Sequence, residues 1–503
     1  MSIDTTEASR MFFRDWSKRE ALAFFLIVSI VYVFPLILAD YPYVDDIYRA
    51  VDGDVDWIKE GRFLMPFFYN FLSFTGGIPD SFPLALLIAT AIMAFALQSL
   101  MLHYFQRANF FCAVVVLPLF FNPFFLSNLT YHYDGPVATL GIAALIFSVT
   151  FNSPYRWVNW TVPALLVWIA LAIYQPLMNV FFALCAIELY KGLVNRKTLS
   201  ELGLFVFVKC AQVVVALVVY MGVVSPFLSR SRQGVVAFDS SWISRVLTRF
   251  QHIEASLSPL YTGDSRWFFI LMMVLAGMGY IGGGLSVLKY RDGVGVKGLV
   301  GGIYLSVPLL LVTCIPGVMV LFSFEQSDSR LMLAVGPLFT FILLLVYWLL
   351  RKLPRYFMWV LVLPLIFAMN FSYSYGRVLS AKKELDISLV NSVVASINAH
   401  AQLKNIKSFY FSIDESELWL PAAQGALSVT PVMSYVLSAN FLLLPYSMIR
   451  AGIPNVGWQD KTHPVAAIVQ SDISPVVDTR FYSIYMFHDD GYIVMKHMPP
   501  SGS

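Results

Sequence analysis

Long apolar stretches are the feature that most constrains the fold of this chain, because eleven of them follow one another with few charges inside. A bilayer core of about 30 Å is crossed by a helix of about 20 apolar residues. Hydrophobic residues make up 58% of the chain and charged residues 13%, against about 45–50% and about 25% in soluble proteins. The sequence therefore predicts a polytopic α-helical membrane protein and excludes a soluble enzyme. The predicted spans are residues 21–39, 82–102, 110–126, 135–152, 158–174, 176–190, 203–226, 267–288, 299–322, 331–350 and 356–374.

The distribution of lysine and arginine predicts the orientation of the chain, since these residues stay on the cytoplasmic side near span ends. With a cytoplasmic N-terminus, the short inner segments hold 15 of them and the much longer outer loops hold nine. An odd number of spans then places the C-terminal tail on the outer side. The first span has a basic flank but no small-x-small cleavage site before Asp40, which predicts a retained signal-anchor.

Two outer loops are long, at residues 40–81 and 227–266. Long segments between closely spaced spans are usually functional, so we expect the chemistry on the outer face. We divide the chain into a membrane-embedded catalytic domain, residues 1–375, and a C-terminal domain, residues 376–503.

The tail carries the pattern of a small α/β domain packed on the membrane part. Strand-like runs at residues 407–412 and 482–487 predict a sheet, and residues 384–401 predict a helix. The tail therefore differs in fold class from the apolar spans that precede it.

Each outer loop also carries a segment suited to the membrane surface. Trp57–Phe74 is largely apolar, with Arg62 on its polar side. Trp242–Leu257 has apolar residues at spacings of three and four, which is typical of an amphipathic surface helix. Arg62 is thus either a guanidinium aimed at a lipid headgroup or part of a plain interfacial anchor.

A pair of adjacent carboxylates, Asp45 and Asp46, follows directly after the first span. Adjacent carboxylates at a membrane interface repel each other and are partly desolvated, which suits one of them to act as a general base. The alternative is an acidic turn that only enforces topology.

Other polar residues gather at the same predicted face. Asp134 enters the membrane with the fourth span, where an ionisable group is costly unless it faces a cavity; the alternative is a residue favoured by the helix dipole. Arg230, Arg232 and Arg330 follow or precede spans at this face. Each is either a solvated loop residue or, through the fork geometry of its guanidinium, a ligand for phosphate.

Familiar nucleotide and hydrolase motifs are missing from the sequence. It has no P-loop, Gly-rich dinucleotide-binding turn, His-Glu-x-x-His or Gly-x-Ser-x-Gly motif. The net charge of +3 is small and dispersed, which excludes a nucleic-acid-binding surface. A lipid-linked phosphosugar is a sugar donor that works at an outer face without nucleotides: its chain docks between helices, an arginine holds the phosphate and a carboxylate deprotonates the acceptor hydroxyl.

Several short motifs resemble one known family in their order and placement. They are the Asp45-Asp46 pair, Gly61-Arg62-Phe63-Leu64, Asn122-Pro123, Tyr131-His132-Tyr133-Asp134 and Tyr174-Gln175-Pro176. Together they resemble the bacterial and phage Gtr-type O-antigen glucosyltransferases, the serotype-converting enzymes, whose plan is similar to that of GT-C glycosyltransferases. The resemblance covers roughly residues 20–375 and fades in the tail.

The resemblance implies an enzyme of the bacterial inner membrane with a periplasmic active site. It implies transfer of glucose from undecaprenyl-phosphate-glucose to a sugar of the lipopolysaccharide O-antigen, in partnership with a donor synthase and a donor flippase. The residue pattern itself requires no metal or other cofactor, although paired carboxylates leave room for a divalent cation.

The resemblance also implies roles for individual residues. Asp45 is the expected base, Asp46 orients it or the acceptor, and Asp134 matches the second acidic residue of related enzymes. The predicted ligands of the donor phosphate are Arg62, Arg230, Arg232 and Arg330, and the predicted substrate-binding residues are Tyr43, His132 and Gln175.

Two alternatives remain open at the level of sequence. One is a GT-C transferase for another sugar or a cell-wall acceptor, because the residues themselves do not select glucose. The other is a transporter or flippase for a lipid-linked sugar, which predicts ionisable residues near the bilayer midplane and two repeated halves. The sequence shows neither feature clearly.

Overall fold

The computed structural model describes residues 12–53, 56–229, 239, 242–287, 294–317, 328–412, 418–437, 443, 445–457 and 473–498. These residues form a largely helical protein with a small sheet near the C-terminus. The helices are α1 Lys18–Ala39, α2 Asp46–Asp52, α3 Leu64–Ser73, α4 Leu84–Tyr104, α5 Phe110–Val116, α6 Pro123–Thr130, α7 Asp134–Thr150, α8 Arg156–Ile173, α9 Met178–Val194, α10 Leu199–Val224, α11 Trp242–Leu257, α12 Pro259–Thr262, α13 Arg266–Val287, α14 Val294–Thr313, α15 Val335–Leu350, α16 Leu363–Ala399, α17 Ala401–Lys404, α18 Gln424–Val429, α19 Val432–Val436 and α20 Pro445–Arg450.

Eight helical segments of the described chain are long and apolar enough to cross a membrane. This finding confirms a membrane protein with several spans. The eight segments are Lys18–Ala39, Leu84–Tyr104, Arg156–Ile173, Gln175–Val194, Leu199–Phe227, Arg266–Val287, Val296–Thr313 and Arg355–Ala399.

The three other predicted spans are also helical, but they are bent or short. The predicted span 110–126 is a pair of helices, Phe110–Leu119 and Pro123–Thr130, bent by 61°. The Asn122 side chain caps the second helix by accepting from the Phe125 N–H at 2.9 Å, and Pro123 has no N–H to continue the first one. Helices α7 and α15 have 17 and 16 residues. The count of eleven spans and the GT-C-like fold therefore stay predictions.

Capping residues in the sequence explain where two of the long helices begin. Ser17 and Glu20 form a reciprocal capping box at the start of α1, and Thr198 and Glu201 form another at the start of α10. Each box satisfies two backbone N–H groups that a helix start leaves without partners.

The bundle is held together by close helix crossings. Helix α1 packs against α4 and α16, and α7 packs between α4 and α8. Gly376 makes the α1–α16 crossing possible, because a Cβ atom there would lie 2.6 Å from the Pro35 Cβ. The Ser372 hydroxyl adds a bond to the Tyr32 carbonyl oxygen at 2.6 Å. The ends of α1, α6 and α8 and the start of α7 thus meet at one end of the bundle, which we call the site end.

The C-terminal segment contains a five-stranded sheet with the order β2-β1-β5-β4-β3. Its strands are β1 Ser408–Ser412, β2 Val456–Gly457, β3 Val477–Asp478, β4 Tyr482–Phe487 and β5 Asp490–Met495. Strand β1 pairs in parallel with β2 and β5, and β4 pairs antiparallel with β3 and β5. Both predicted strands are therefore confirmed.

The predicted helix at 384–401 and the last predicted span are parts of one helix of 37 residues, α16. Its C-terminal half packs on the sheet through Leu389, Val393 and Ile397. The proposed domain boundary at residue 375 falls inside this helix, and the division into two domains stays a prediction.

The two predicted surface segments have different environments. Trp242–Leu257 forms the helix α11, as expected. In the segment Trp57–Phe74, Trp57 is only 1% exposed, whereas Phe71 and Phe74 at its far end are exposed. The segment is therefore buried at Trp57, and it leads to Arg62, which joins a cluster of charged residues.

Candidate functional site

Asp46 is completely buried and binds backbone groups of two separate loops. Its carboxylate accepts from the N–H groups of Tyr43 at 3.0 Å, His132 at 2.9 Å and Tyr133 at 3.4 Å. Burial raises the pKa of Asp46 to about 6, against the partly compensating attraction of His132 and Arg49. Asp46 thus fixes the loop after α1 against the loop before α7.

Arg49 joins the carboxylates of three aspartates, although its side chain is only 3% exposed. It donates to Asp134 at 2.9 Å and to Asp45 at 3.3 Å, and it lies 3.9 Å from Asp46. Arg49 was not among the site residues predicted from the sequence. The signal was present, because helical spacings of three and four from Asp46 and Asp45 place it on their side of α2.

Asp134 lies in the first turn of α7 and is shared by two guanidinium groups. Arg49 donates to one carboxylate oxygen at 2.9 Å and Arg62 donates to the other at 3.1 Å. Arg62 also lies over the Tyr174 ring at 4.9 Å and 3.5 Å from the Glu60 carboxylate. Arg62 therefore faces the protein interior and not only the membrane surface.

Arg330 approaches the same site from a short 3-10 turn, Ser329–Leu331. Its guanidinium donates to the Tyr131 hydroxyl at 3.2 Å and pairs with Asp328 at 3.3 Å. The Asn128 side chain holds the turn by donating to the Arg330 carbonyl oxygen at 2.9 Å.

These residues form what we call the charged cluster: Asp45, Arg49, Arg62, Asp134 and Arg330. Next to it lies a small cavity that opens to solvent, where the space not filled by protein atoms, open solvent included, is about 310 Å³. The cavity therefore combines cationic, anionic and aromatic groups at the site end. Its walls are Arg62, Met65, Asn128, Tyr131, Asp134, Ala138, Ile173, Tyr174 and Arg330.

Asp45 is the most accessible carboxylate of the three aspartates. Its side chain is 31% exposed, against 13% for Asp134 and none for Asp46. Burial is the largest influence on its pKa and raises it, while Arg49 acts in the opposite direction. Asp45 is thus a carboxylate with increased proton affinity that solvent reaches.

The three predicted substrate-binding residues lie beside this cavity and do not line it. The Tyr43 ring packs edge-on against Tyr131 with centroids 4.9 Å apart. The His132 ring stacks on Phe82 at 3.8 Å. Gln175 donates to the Tyr220 hydroxyl at 2.7 Å. Their contact with substrate stays a prediction.

Two of the predicted phosphate ligands, Arg230 and Arg232, lie outside the described residues. The described residues contain no group of three or more His, Cys, Asp or Glu placed to hold a metal ion.

A second cavity, which we call the apolar groove, lies between α9, α10, α14 and the surface helix α11. It has about 1470 Å³ of unfilled space. Its walls are almost entirely hydrophobic, and Trp242 and Phe250 of α11 are among them. Asn179, on its wall, is five residues from Tyr174 of the charged cavity. The two cavities are therefore neighbours along the chain.

Comparison with known proteins gives one curated relative and one family. An uncharacterised 55.3 kDa protein in the gtrB 5′ region of Salmonella phage P22 is 27% identical over 181 residues. The aligned part is 36% of this chain and only 37% of the relative. No solved structure matches the chain.

The family comparison covers most of the chain. The family model described as Glucosyl transferase GtrII matches residues 34–366. This range contains the whole charged cluster and the helices that carry it, and it agrees with the resemblance seen in the short motifs. The chain belongs to the GtrII glucosyl transferase family.

Proposed function

We propose that this protein transfers glucose from undecaprenyl-phosphate-glucose to a sugar of the lipopolysaccharide O-antigen at the periplasmic face of the bacterial inner membrane. Membership of the GtrII family supports glucosyl transfer. The single structural observation that carries the proposal is that the chain forms both a charged cavity, with Arg62 and Arg330 in its wall, and an apolar groove, whose wall begins at Asn179, five residues after Tyr174 of the charged cavity. A lipid-linked phosphosugar needs both environments, one for its headgroup and one for its hydrocarbon chain.

Asp45 is the proposed general base for the acceptor hydroxyl. Asp46 is occupied by three backbone N–H groups, and Asp134 is held between two guanidinium groups. Only Asp45 combines exposure to solvent with a pKa raised by burial. A base of this kind contributes typically about 10²–10⁴-fold to the rate.

Arg330 and Arg62 are the proposed ligands of the donor phosphate. Each pairs with a carboxylate that solvent reaches, Asp328 at 42% and Glu60 at 31% exposure. Such a carboxylate can exchange its partner for water more easily than a buried one, because its charge stays hydrated. Arg49 is 3% exposed and bound to both Asp134 and Asp45, so we assign it to holding these two carboxylates.

The proposed reaction is a direct displacement that inverts the anomeric carbon. The acceptor oxygen attacks that carbon, the bond from the carbon to the phosphate oxygen breaks, and Asp45 receives the hydroxyl proton. The undecaprenyl phosphate leaves with the bonding electron pair, and Arg330 and Arg62 balance its charge. The leaving group is already anionic, so the step needs little acid assistance.

The periplasmic location rests on the distribution of lysine and arginine along the chain. On this basis we propose that the N-terminus lies in the cytoplasm and that the charged cluster and the C-terminal tail lie in the periplasm. A donor synthase and a donor flippase then supply undecaprenyl-phosphate-glucose to this face.

Glucose transfer to O-antigen, in cells that supply undecaprenyl-phosphate-glucose, tests the proposal. We expect activity in the wild type and its loss in Asp45→Asn at matched membrane expression. The matched control is Asp56→Asn, which neutralises an exposed carboxylate of the same loop and should leave transfer unchanged.

Three other outcomes would contradict parts of the proposal. An inactive wild type, with donor supply confirmed and several O-antigens tried, would favour another sugar or a flippase. Full activity of Asp45→Asn would remove Asp45 as the base. The same anomeric configuration in donor and product would exclude a single displacement.

A further inference from the structure

We propose that Asp386 of α16 is a positioning residue, which holds the loop of Asp45 in place through the hydroxyl of Tyr41. This inference rests on the proposed function, because the loop matters for catalysis only if Asp45 is the base. Its new content is a role for the C-terminal half of α16, here called the tail helix, which lies beyond the residues matched by the family.

The tail helix binds the end of α1 and the start of the following loop. The Tyr41 hydroxyl donates to the Asp386 carboxylate at 2.8 Å. Lys383 donates to the Asp40 carboxylate at 3.0 Å and to the Ala39 carbonyl oxygen at 3.2 Å. Three consecutive residues, Ala39, Asp40 and Tyr41, are therefore tied to one helix about 345 positions later in the chain.

Contacts continue from Tyr41 into the site. The Tyr41 ring packs edge-on against Tyr43 with centroids 6.0 Å apart, and Tyr43 packs in the same way against Tyr131 at 4.9 Å. The Tyr43 N–H donates to Asp46 at 3.0 Å, and the Tyr131 hydroxyl accepts from Arg330 at 3.2 Å. A displacement of Tyr41 thus reaches both the aspartate pair and the proposed phosphate ligand.

The partner of Asp386 indicates that this anchor needs a hydrogen-bond acceptor. Lys382 pairs with Asp386 one helical turn away, and its side chain is only 1% exposed. A buried ion pair is often no more stabilising than an apolar pair of similar volume. An apolar pair, however, offers no acceptor to the Tyr41 hydroxyl. The geometry therefore indicates that the pair keeps a hydrogen-bond acceptor at a fixed position.

The sharpest test compares two variants that are both neutral at this site. Lys382→Met/Asp386→Asn removes the ion pair and keeps a side-chain oxygen for Tyr41, whereas Lys382→Met/Asp386→Leu removes the oxygen as well. We expect the first to keep kcat for glucosyl transfer within about threefold of the wild type. We expect the second to lower kcat about tenfold or more, because small misplacements of reacting groups reduce reaction rates by up to about 10²-fold.

Tyr41→Phe gives an independent test of the same contact, since it deletes only the hydroxyl. It should lower kcat by about tenfold with the KM of the sugar donor nearly unchanged. Tyr373→Phe is the matched control, because Tyr373 lies exposed on α16, the helix that carries Asp386. Glu384→Gln is the control for a charge change, since this residue is exposed two positions from Asp386.

Hydrogen exchange separates this inference from the proposed function. Backbone amides of residues 41–49 should exchange faster in Tyr41→Phe than in Tyr373→Phe, whether or not the protein transfers glucose. An inactive wild type with this difference would contradict the function and support the anchor. Equal exchange, or equal kcat in the two Lys382→Met double variants, would overturn the positioning role.

Discussion

Replacing Asp134 with asparagine should destabilise the protein strongly, because this carboxylate is shared by Arg49 and Arg62. The side chains of the three residues are 13%, 3% and 16% exposed. An attraction between unit charges 4 Å apart is about 4 kcal/mol at the effective dielectric constant of such sites. Asparagine keeps one oxygen for one of the guanidinium groups and leaves the other without its charge partner. We expect a loss of about 3–5 kcal/mol, as is usual when one partner of a buried ion pair is removed.

The assay is the apparent Tm in one detergent, followed by intrinsic fluorescence. In domains of 150–250 residues, 1 kcal/mol shifts Tm by about 2–4 °C; in this longer chain we expect a decrease of the order of 5 °C. Asp56→Asn removes an exposed partner of Lys59 in the same loop and should change stability by less than about 1 kcal/mol.

A double-mutant cycle with Arg62→Gln identifies the cause of the loss. The double variant Asp134→Asn/Arg62→Gln restores the charge balance, so it should lose less than the sum of the two single variants. Residues in direct contact show coupling of about 0.5–3 kcal/mol. Additive losses, or an Asp134→Asn protein as stable as Asp56→Asn, would refute the reasoning.

Three further predictions concern the loop, the groove and the base. Gly61 has a φ of +83°, and a Cβ atom there would lie 2.4 Å from a neighbouring hydroxyl, so Gly61→Ala should lower both Tm and transfer. Gly53 has a φ of +65° but open space around it, so Gly53→Ala should lower the free energy of unfolding by only about 1 kcal/mol. Val213→Trp should fill the apolar groove and raise the KM for the lipid-linked donor, whereas Val214→Trp, on the exposed side of the same helix, should not. Burial raises the pKa of Asp45, so it should take up a proton at a higher pH than an ordinary aspartate, whose pKa is about 3.9. The rate of transfer should therefore decline as the pH falls through the pKa of Asp45. A rate independent of pH between neutral pH and about 3.9 would contradict the role of Asp45 as the base.

The spans were predictable because they depend only on local properties of the chain. A helix must be long and apolar enough for the bilayer, and both requirements are visible in a single stretch of sequence. The bend before Pro123 was also signalled, since Asn122-Pro123 is a capping residue followed by a residue that cannot continue a helix. The predicted span 110–126 is accordingly a bent pair of helices.

The long helix α16 was predicted only in pieces. Its polar half, from Lys382 onward, does not look like a span, and its apolar half does not look like part of a soluble domain. The helix is continuous because one half packs on α1 and the other half packs on the sheet. Such contacts depend on residues far away in the chain, which local patterns do not contain.

The site illustrates the same limit. The sequence predicted that four site residues lie at one face of the membrane, namely Asp45, Asp134, Arg62 and Arg330. Residues at the same face need not be in contact, so the pattern did not predict which of them pair. Arg62 was assigned to the membrane surface because its partner, Asp134, is 72 positions away. Arg49 is different, because two of its partners, Asp45 and Asp46, lie within one helical turn of it. Local spacing was therefore sufficient to predict its place in the site, although the prediction was not made.

The charges of the site also explain how a phosphate can be accepted there. Asp45, Asp46 and Asp134 surround Arg49, and Glu60 and Asp328 are two further carboxylates beside Arg62 and Arg330. An arriving phosphate adds negative charge, so a carboxylate must give up its arginine. Glu60 and Asp328 are the partners of Arg62 and Arg330 that solvent reaches, so they are the carboxylates that can turn to water. The aspartates then keep their positions around Arg49 while the phosphate takes a place at Arg62 and Arg330, so substrate binding need not disturb the proposed base.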